Sequence, residues 1–242
     1  MKRSEINHLL NEGIAFLKSK GIPLPPQADW NLEDWYKNRE KAAELEKRRI
    51  GWDLTDFGSG KFKSVGLLCY TLSNGIMGPD GQPIDQNYAN KFLIIEENQV
   101  TPMHHHRSKT EDIINLAGGT LQIKLFNVDR EERLDEKTPV EVLRNVIWIT
   151  CEAGTVISLS PGERIRLDTR HYHEFWAQPG QGKVLVEEVS SVNDDRIDNI
   201  FAEDFGRFPE IIEDEVPAYL LCTELPGTEK FDELVRKYLK TG

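Results

Sequence analysis

Between Val65 and Val192 the chain runs through a series of short β-rich stretches, and that pattern most narrows what it can fold into. The stretches are VGLLCYTL, KFLII, TLQIKLF, VIWIT, TVISL, RIRL and KVLVEEV. Turn-forming clusters part them: Ser73-Asn74-Gly75, Gly118-Gly119, Pro161-Gly162 and Pro179-Gly180. Many short strands at this spacing predict a mainly β chain, an antiparallel sandwich or barrel.

Outside that region the periodicity is helical. Ser4 reads as the N-cap of a helix carrying Ile6, Leu9, Leu10, Phe16 and Leu17, ended by Gly21. Pro23 to Pro26 break the chain. Asn31 then opens a second helix through EDWYKNREKAAELEKRRI, which Gly51 stops, and its many charges place it on a surface. EKFDELVRKYL predicts a closing C-terminal helix. No repeat, low-complexity tract or flexible linker divides the chain. We therefore expect one domain over residues 1–242: a helical N-terminal extension over 1–51, a barrel over about 65–192 and a C-terminal extension over 193–242.

Five of the six histidines fall in two short clusters, His104-His105-His106 and His171 with His173. Side chains of a strand alternate between faces, so His104 and His106 point one way and His105 the other. Glu111 follows across a turn through Arg107-Ser108-Lys109, where a hairpin would set it beside the two imidazoles. After Pro161-Gly162, a strand carrying RIRLDTRHYHEFW supplies a third imidazole, and spacing alone does not choose between His171 and His173. Three neutral nitrogens and one carboxylate suit a divalent ion such as Mn, Fe, Co, Ni or Zn, with positions left for water or substrate.

These residues resemble the single-domain cupins, whose H-x-H-x4-E-x6-G signature His104, His106, Glu111 and Gly118 match at every position. The resemblance implies a jelly-roll barrel with one metal ion per subunit. Further strings spread over nearly the whole chain are similar to the D-lyxose ketol-isomerase family: MKRSEIN, WDLTDFGSG, VTPMHHH, EDIIN, HEFW, EVSSVNDD, GRFPEI and YLLCT. That resemblance selects His173 as the third histidine ligand and manganese as the usual ion. It implies reversible isomerisation of D-lyxose to D-xylulose, with D-mannose to D-fructose as a second reaction. His105 departs from the family, where an aromatic residue is expected.

Moving a proton between C1 and C2 of a sugar needs a Lewis acid to stabilise the enediolate and a base to carry the proton. A cis-enediol route, with the metal holding O1 and O2, is expected. The resemblance points to a lysine at the start of the strand before the histidines, and Lys91 of NKFLII matches it. A divalent cation disfavours a second positive charge beside it, which suits Lys91 to a role as base or proton relay. For the acidic partner, Glu203 in FAEDFGRF comes first, Glu213 second and Glu188 third. Glu213 and Arg207 are also candidates for substrate contacts, Arg207 serving equally well in a structural ion pair; Asp56 beside its glycine turn is a further candidate for hydroxyl contacts. Trp148, Phe175 and Trp176 are expected to fill the barrel more than to stack on a sugar.

Composition limits the alternatives. A net charge of −11 argues against nucleic acid and anionic membrane surfaces as partners. Three widely spaced cysteines read as reduced thiols. MKRSEINHLL turns polar again at Asn11-Glu12, so no signal-peptide core is expected, no stretch approaches a membrane span, and the cytoplasm is the expected location. A cupin dioxygenase or oxidase would use the same four ligands, but with an apolar pocket. A phosphosugar isomerase would need a phosphate clamp, and a sugar-binding regulator would not need four ligands. A monosaccharide substrate and a homodimer are the expected partners.

Overall fold

The computed structural model describes residues 1–192, 194, 198–206 and 209–239. Fourteen strands among them form two antiparallel sheets. The first runs in the order β1 (Gly51–Thr55), β2 (Leu67–Ser73), β3 (Tyr88–Ile95), β13 (Val184–Ser191), β5 (Glu111–Gly118), β11 (Arg164–Leu167), β8 (Val140–Arg144) and β9 (Ile147–Cys151). The second runs β10 (Val156–Leu159), β6 (Leu121–Val128), β12 (His171–Ala177), β4 (Val100–His106) and β14 (Asn199–Phe201), with β7 (Leu134–Asp135) beside β6. This is the antiparallel architecture the sequence predicts, and every apolar run named above lies largely within a strand.

The inner faces of the two sheets enclose one core, which includes Leu93, Ile113, Leu125, Val142, Ile165 and Val186. Helix α1 (Arg3–Ser19) covers the outer face of the first sheet, where Ile6, Leu10 and Ile14 pack with Trp52, Tyr70 and Ile94. Burying each such side chain contributes roughly 1.5–3 kcal/mol before chain entropy is counted. Strand β3 therefore has apolar neighbours on both sides: Leu93 and Ile95 face the inner core, Phe92 and Ile94 the helix. That double burial explains why KFLII is continuously apolar rather than alternating. Two further short helices, α2 (Leu32–Lys37) and α3 (Ala43–Arg48), lie before β1, and a third, smaller core joins Leu32 and Trp35 of α2 to Phe231 and Leu234 of α4 (Glu229–Tyr238).

Several local expectations are corrected. Helix α1 starts at Arg3, with Lys2 in the cap position, because the Ser4 backbone N–H and hydroxyl both donate to Asp214. The second helix is three pieces: α2, capped by Asn31 as expected, a 3-10 turn over Arg39–Lys41, and α3. The break falls at Asn38, whose side-chain amide donates to the Asp34 carbonyl and competes with continued helix. The strand region is wider than 65–192, because β1 and β14 lie outside those bounds and pair within the two sheets. The stretch RIRLDTRHYHEFW is two strands in different sheets, β11 and β12. Trp148 does not fill the barrel: it is 68% exposed on the edge strand β9. None of the described helices is long and apolar enough to cross a membrane.

Candidate metal centre and active site

Strands β4 and β12 pair antiparallel with His173 opposite His104, and His106 lies two residues further along the same face of β4. Ligand nitrogens of His104, His106 and His173 all lie within 4.8 Å of one another, and all three side chains are buried. Glu111 arrives from the opposite sheet. Strands β4 and β5 belong to different sheets, so the link through residues 107–110 is a crossing between sheets and not the hairpin expected from sequence. That crossing carries the Glu111 carboxylate to 3.1 Å from His173 Nε2 and 3.4 Å from His106 Nε2. At the far end of β5, Gly118 sits at φ +96°, and a Cβ there would lie 2.1 Å from the Lys183 carbonyl oxygen. The turn closing β5 therefore requires glycine.

The tautomers follow from the partners. His104 Nδ1 lies 2.7 Å from the Pro102 carbonyl oxygen, and His173 Nδ1 lies 3.1 Å from the His171 carbonyl oxygen. A carbonyl only accepts, so each Nδ1 carries the proton and each Nε2 turns a lone pair inward. The His173 Nε2 lone pair then faces a Glu111 oxygen, two acceptors without a proton between them. Neither His173 Nε2 nor His106 Nε2 has a hydrogen-bond partner. A buried cluster of unspent acceptors fits a bound cation, and this mixed nitrogen and carboxylate set fits a divalent transition metal.

Electrostatics favour the ligating forms of His104 and Glu111, while His106 is drawn toward the charged form by the acids beside it. Burial pushes His104 well below the ordinary imidazole range, and His173 and His106 add to the effect. Burial would raise Glu111, but Lys109 and His106 outweigh it and hold the carboxyl well below its usual range. For His106 burial again opposes the charged form, and Lys109 does too, while Glu111 and Asp198 outweigh them and raise its pKa.

A cavity of about 310 Å³ opens on this cluster, at the lower end of the range for small-molecule sites. Four further charged side chains line it: Asp53, Lys91, Lys109 and Glu188. Lys91 Nζ lies 3.4 Å and Lys109 Nζ 3.1 Å from Glu188 Oε1, and Lys109 Nζ lies 2.7 Å from Glu111 Oε2. Strand pairing fixes the arrangement, because Glu188 on β13 sits between Lys91 on β3 and Ile113 on β5. Asp53, Thr55 and Thr101 add polar groups, and Phe57, Phe175, Phe201 and Phe205 add apolar wall.

The candidates from sequence thus divide. Lys91, His104, His106 and Glu111 line the cavity, and His173 joins the histidine cluster. His171 does not, because its Nδ1 accepts from the Asp168 N–H at the head of β12. His105 faces away and packs on Tyr172, as strand alternation requires. Glu203 is exposed and is not among the cavity-lining residues. Glu213 is drawn off by Arg3, which donates to both of its oxygens. Asp56 serves its own turn, accepting from the Gly58 and Gly60 N–H groups; alternation on β1 puts Asp53 and Thr55 on the cavity side instead. Arg207 lies outside the described residues. Of the three acids considered, the last-ranked, Glu188, is the one in the cavity. Lys109 and Asp198 were not anticipated: a turn lysine and an acid in a charged stretch ordinarily read as solvated surface. None of the three cysteines is in a disulfide, and Cys69 lines the cavity.

The profile of the D-lyxose isomerase family matches residues 1–225. The D-lyxose/D-mannose isomerase of Serratia proteamaculans is 42% identical over 93% of this chain and 97% of its own length. The D-lyxose/D-mannose isomerase of Escherichia coli O157:H7 is 41% identical over 93% of this chain and 98% of its own. Among solved structures, the L-ribose isomerase of Cellulomonas parahominis superposes with a TM-score of 0.57 at 14% identity, covering 84% of this chain and 93% of that one. That of Acinetobacter sp. DL28 gives 0.55 at 16% identity over the same shares, a likeness of fold alone.

Proposed function

This chain belongs to the D-lyxose isomerase family and is a sugar isomerase, and from that premise we propose that it interconverts D-lyxose with D-xylulose and D-mannose with D-fructose. The observation that carries this reading is the meeting, on one cavity, of a histidine–glutamate cluster with a separate Lys91–Glu188–Lys109 group. His104, His106, Glu111 and His173 would hold one divalent ion, taken here to be Mn2+, and when bound it supplies Lewis-acid stabilisation of charge on the sugar oxygens.

The chain's own residues do the proton work. Glu188 takes the proton from C2 of the aldose; the C–H electron pair becomes the C1–C2 double bond, and the carbonyl oxygen takes up a proton from Lys91. The cis-enediol then receives the carried proton at C1 while its O2 returns a proton to Lys91, which leaves the ketose and restores both groups. Glu188 is held for this by Lys109 and by the Ser190 hydroxyl, both 3.1 Å from Oε1. Asp53, Thr55 and Thr101 serve as hydroxyl partners, and the four phenylalanines exclude water from the proton path. Glu188 takes the role for which Glu203 ranked first on sequence. Residues 1–242 act as one cytoplasmic domain, and the assembly is a homodimer.

The test is metal-stripped protein, reloaded with Mn2+ and assayed for D-xylulose from D-lyxose and D-fructose from D-mannose. Ketose formation from both, dependent on the metal, is expected. No ketose from either sugar would overturn the proposal, and oxygen consumption in the same vessel would favour a dioxygenase using the same ligands.

A further inference from the structure

We propose that Asp198 is a positioning residue for His106, fixing the one imidazole of the cluster that has no backbone carbonyl to orient it. His104 and His173 share a local device: each Nδ1 lies against the carbonyl two residues back on its own strand, Pro102 or His171. His106 departs from it. Its Nδ1 faces Asp198 Oδ2 at 3.3 Å, and both atoms are buried and lack a well-formed hydrogen bond to any group. A donor and an acceptor, both out of water and facing each other, account for each other's burial.

The carboxylate is itself held in place. Asp198 Oδ1 accepts from the Ser108 N–H at 2.9 Å and the Ser108 hydroxyl at 2.7 Å, and its backbone oxygen accepts from the Arg107 N–H at 3.0 Å. The next residue, Asn199, pairs with His106 across β14 and β4. Oδ2 is thereby aimed at the ring. An ionised carboxylate has no proton to give, so only the tautomer with hydrogen on Nδ1 satisfies the pair, and that tautomer turns the Nε2 lone pair toward Glu111 and the other two histidines. A carboxylate partner also raises the basicity of the ligating nitrogen, an effect a backbone carbonyl supplies more weakly.

This inference rests on the metal reading above, so its test reads the tautomer and the metal separately. Metal-free protein with 15N-labelled histidine is examined at alkaline pH, where the imidazoles are neutral, and Mn2+ alone is then titrated by calorimetry. In the native protein His106 is expected with the proton on Nδ1. Asp198→Asn keeps an oxygen for Ser108 but turns an N–H toward His106 Nδ1. It is expected to move the proton to Nε2 and to weaken Mn2+ binding about 10–100-fold, the usual cost of losing such a partner. Ser108→Ala, which loses only the hydroxyl contact, is expected to leave the tautomer unchanged. A native His106 with its proton on Nε2 overturns the inference whether or not the variant folds, as does Asp198→Asn with unchanged tautomer and Mn2+ affinity. The expected tautomers in a protein that binds no divalent ion would instead sink the metal reading and leave the role of Asp198 standing.

Discussion

Lys109 is 3% exposed, and an ammonium so deep in a fold needs carboxylates around it. Glu111 and Glu188 both lie against it, and Lys109 so ties the histidine cluster to the proposed proton-transfer group. Each proposed role predicts its own variant. His106→Ala should lose both bound Mn2+, measured by metal analysis, and turnover. Lys91→Ala should keep the metal and lose most activity, and normal turnover in that variant would remove Lys91 from the mechanism. Glu188→Gln should lower kcat about 100- to 10,000-fold with Mn2+ content unchanged, the range for loss of a positioned base. His104, His106 and Glu111 were legible because strand alternation and short spacing are local properties; His173 was separated from His171 by the family resemblance. Lys109 and Asp198 were not legible, because a charge in a turn or charged stretch shows no sign of burial until another part of the chain covers it; Glu188 was named from sequence but ranked last, because which acid enters the cavity depends on which strands become neighbours.

Helix α1 owes its attachment to Arg3 as well as to its apolar face. Arg3 is fully buried, and its guanidinium binds Glu213 and Glu224 from the C-terminal segment. Arg3→Met should cost about 3–5 kcal/mol in urea unfolding, since it strands two carboxylates in the interior. A pH signature should accompany it. Burial would raise the Glu213 carboxyl, but Arg3 and then Lys230 outweigh it and hold its pKa below the ordinary 4.5. A folded-state pKa below the unfolded one gives stability that is present above the unfolded value and lost as pH falls through the folded one. Stability of the native protein should therefore fall below about pH 4.5, and this acid slope should be shallower in Arg3→Met. Gly118→Ala at the end of β5 should cost about 1–3 kcal/mol from backbone conformation alone, and the clash with Lys183 adds to it. Strand existence was legible in the apolar runs; the breaking of the second helix was not, because it turns on one side-chain contact at Asn38.

Across the whole molecule, the centre joins β4 and β12 of one sheet to β5 of the other, so a bound ion should stabilise the fold as a unit. Mn2+ at 100 times its Kd adds about 2.7 kcal/mol, and for a chain of this size that is a rise in Tm of about 5–11 °C. Scanning calorimetry with and without chelator checks this, and a single transition is expected of one domain. Light scattering tests the homodimer, for which the consecutive exposed residues Val146, Ile147 and Trp148 offer a surface of the kind subunits cover. The sequence by itself determined the antiparallel β architecture, the flanking helices and the histidine–glutamate set. Those follow from periodicity and spacing over a few residues, which any fold of the chain must respect, except the choice of His173 over His171, which came from the family resemblance. Only the tertiary structure decided that Glu188 and not Glu203 enters the cavity, that Asp53 and not Asp56 faces it, and that Glu111 arrives by a crossing between sheets. Those outcomes depend on which strands become neighbours and which faces close on each other, and that is fixed by packing between segments far apart in the chain.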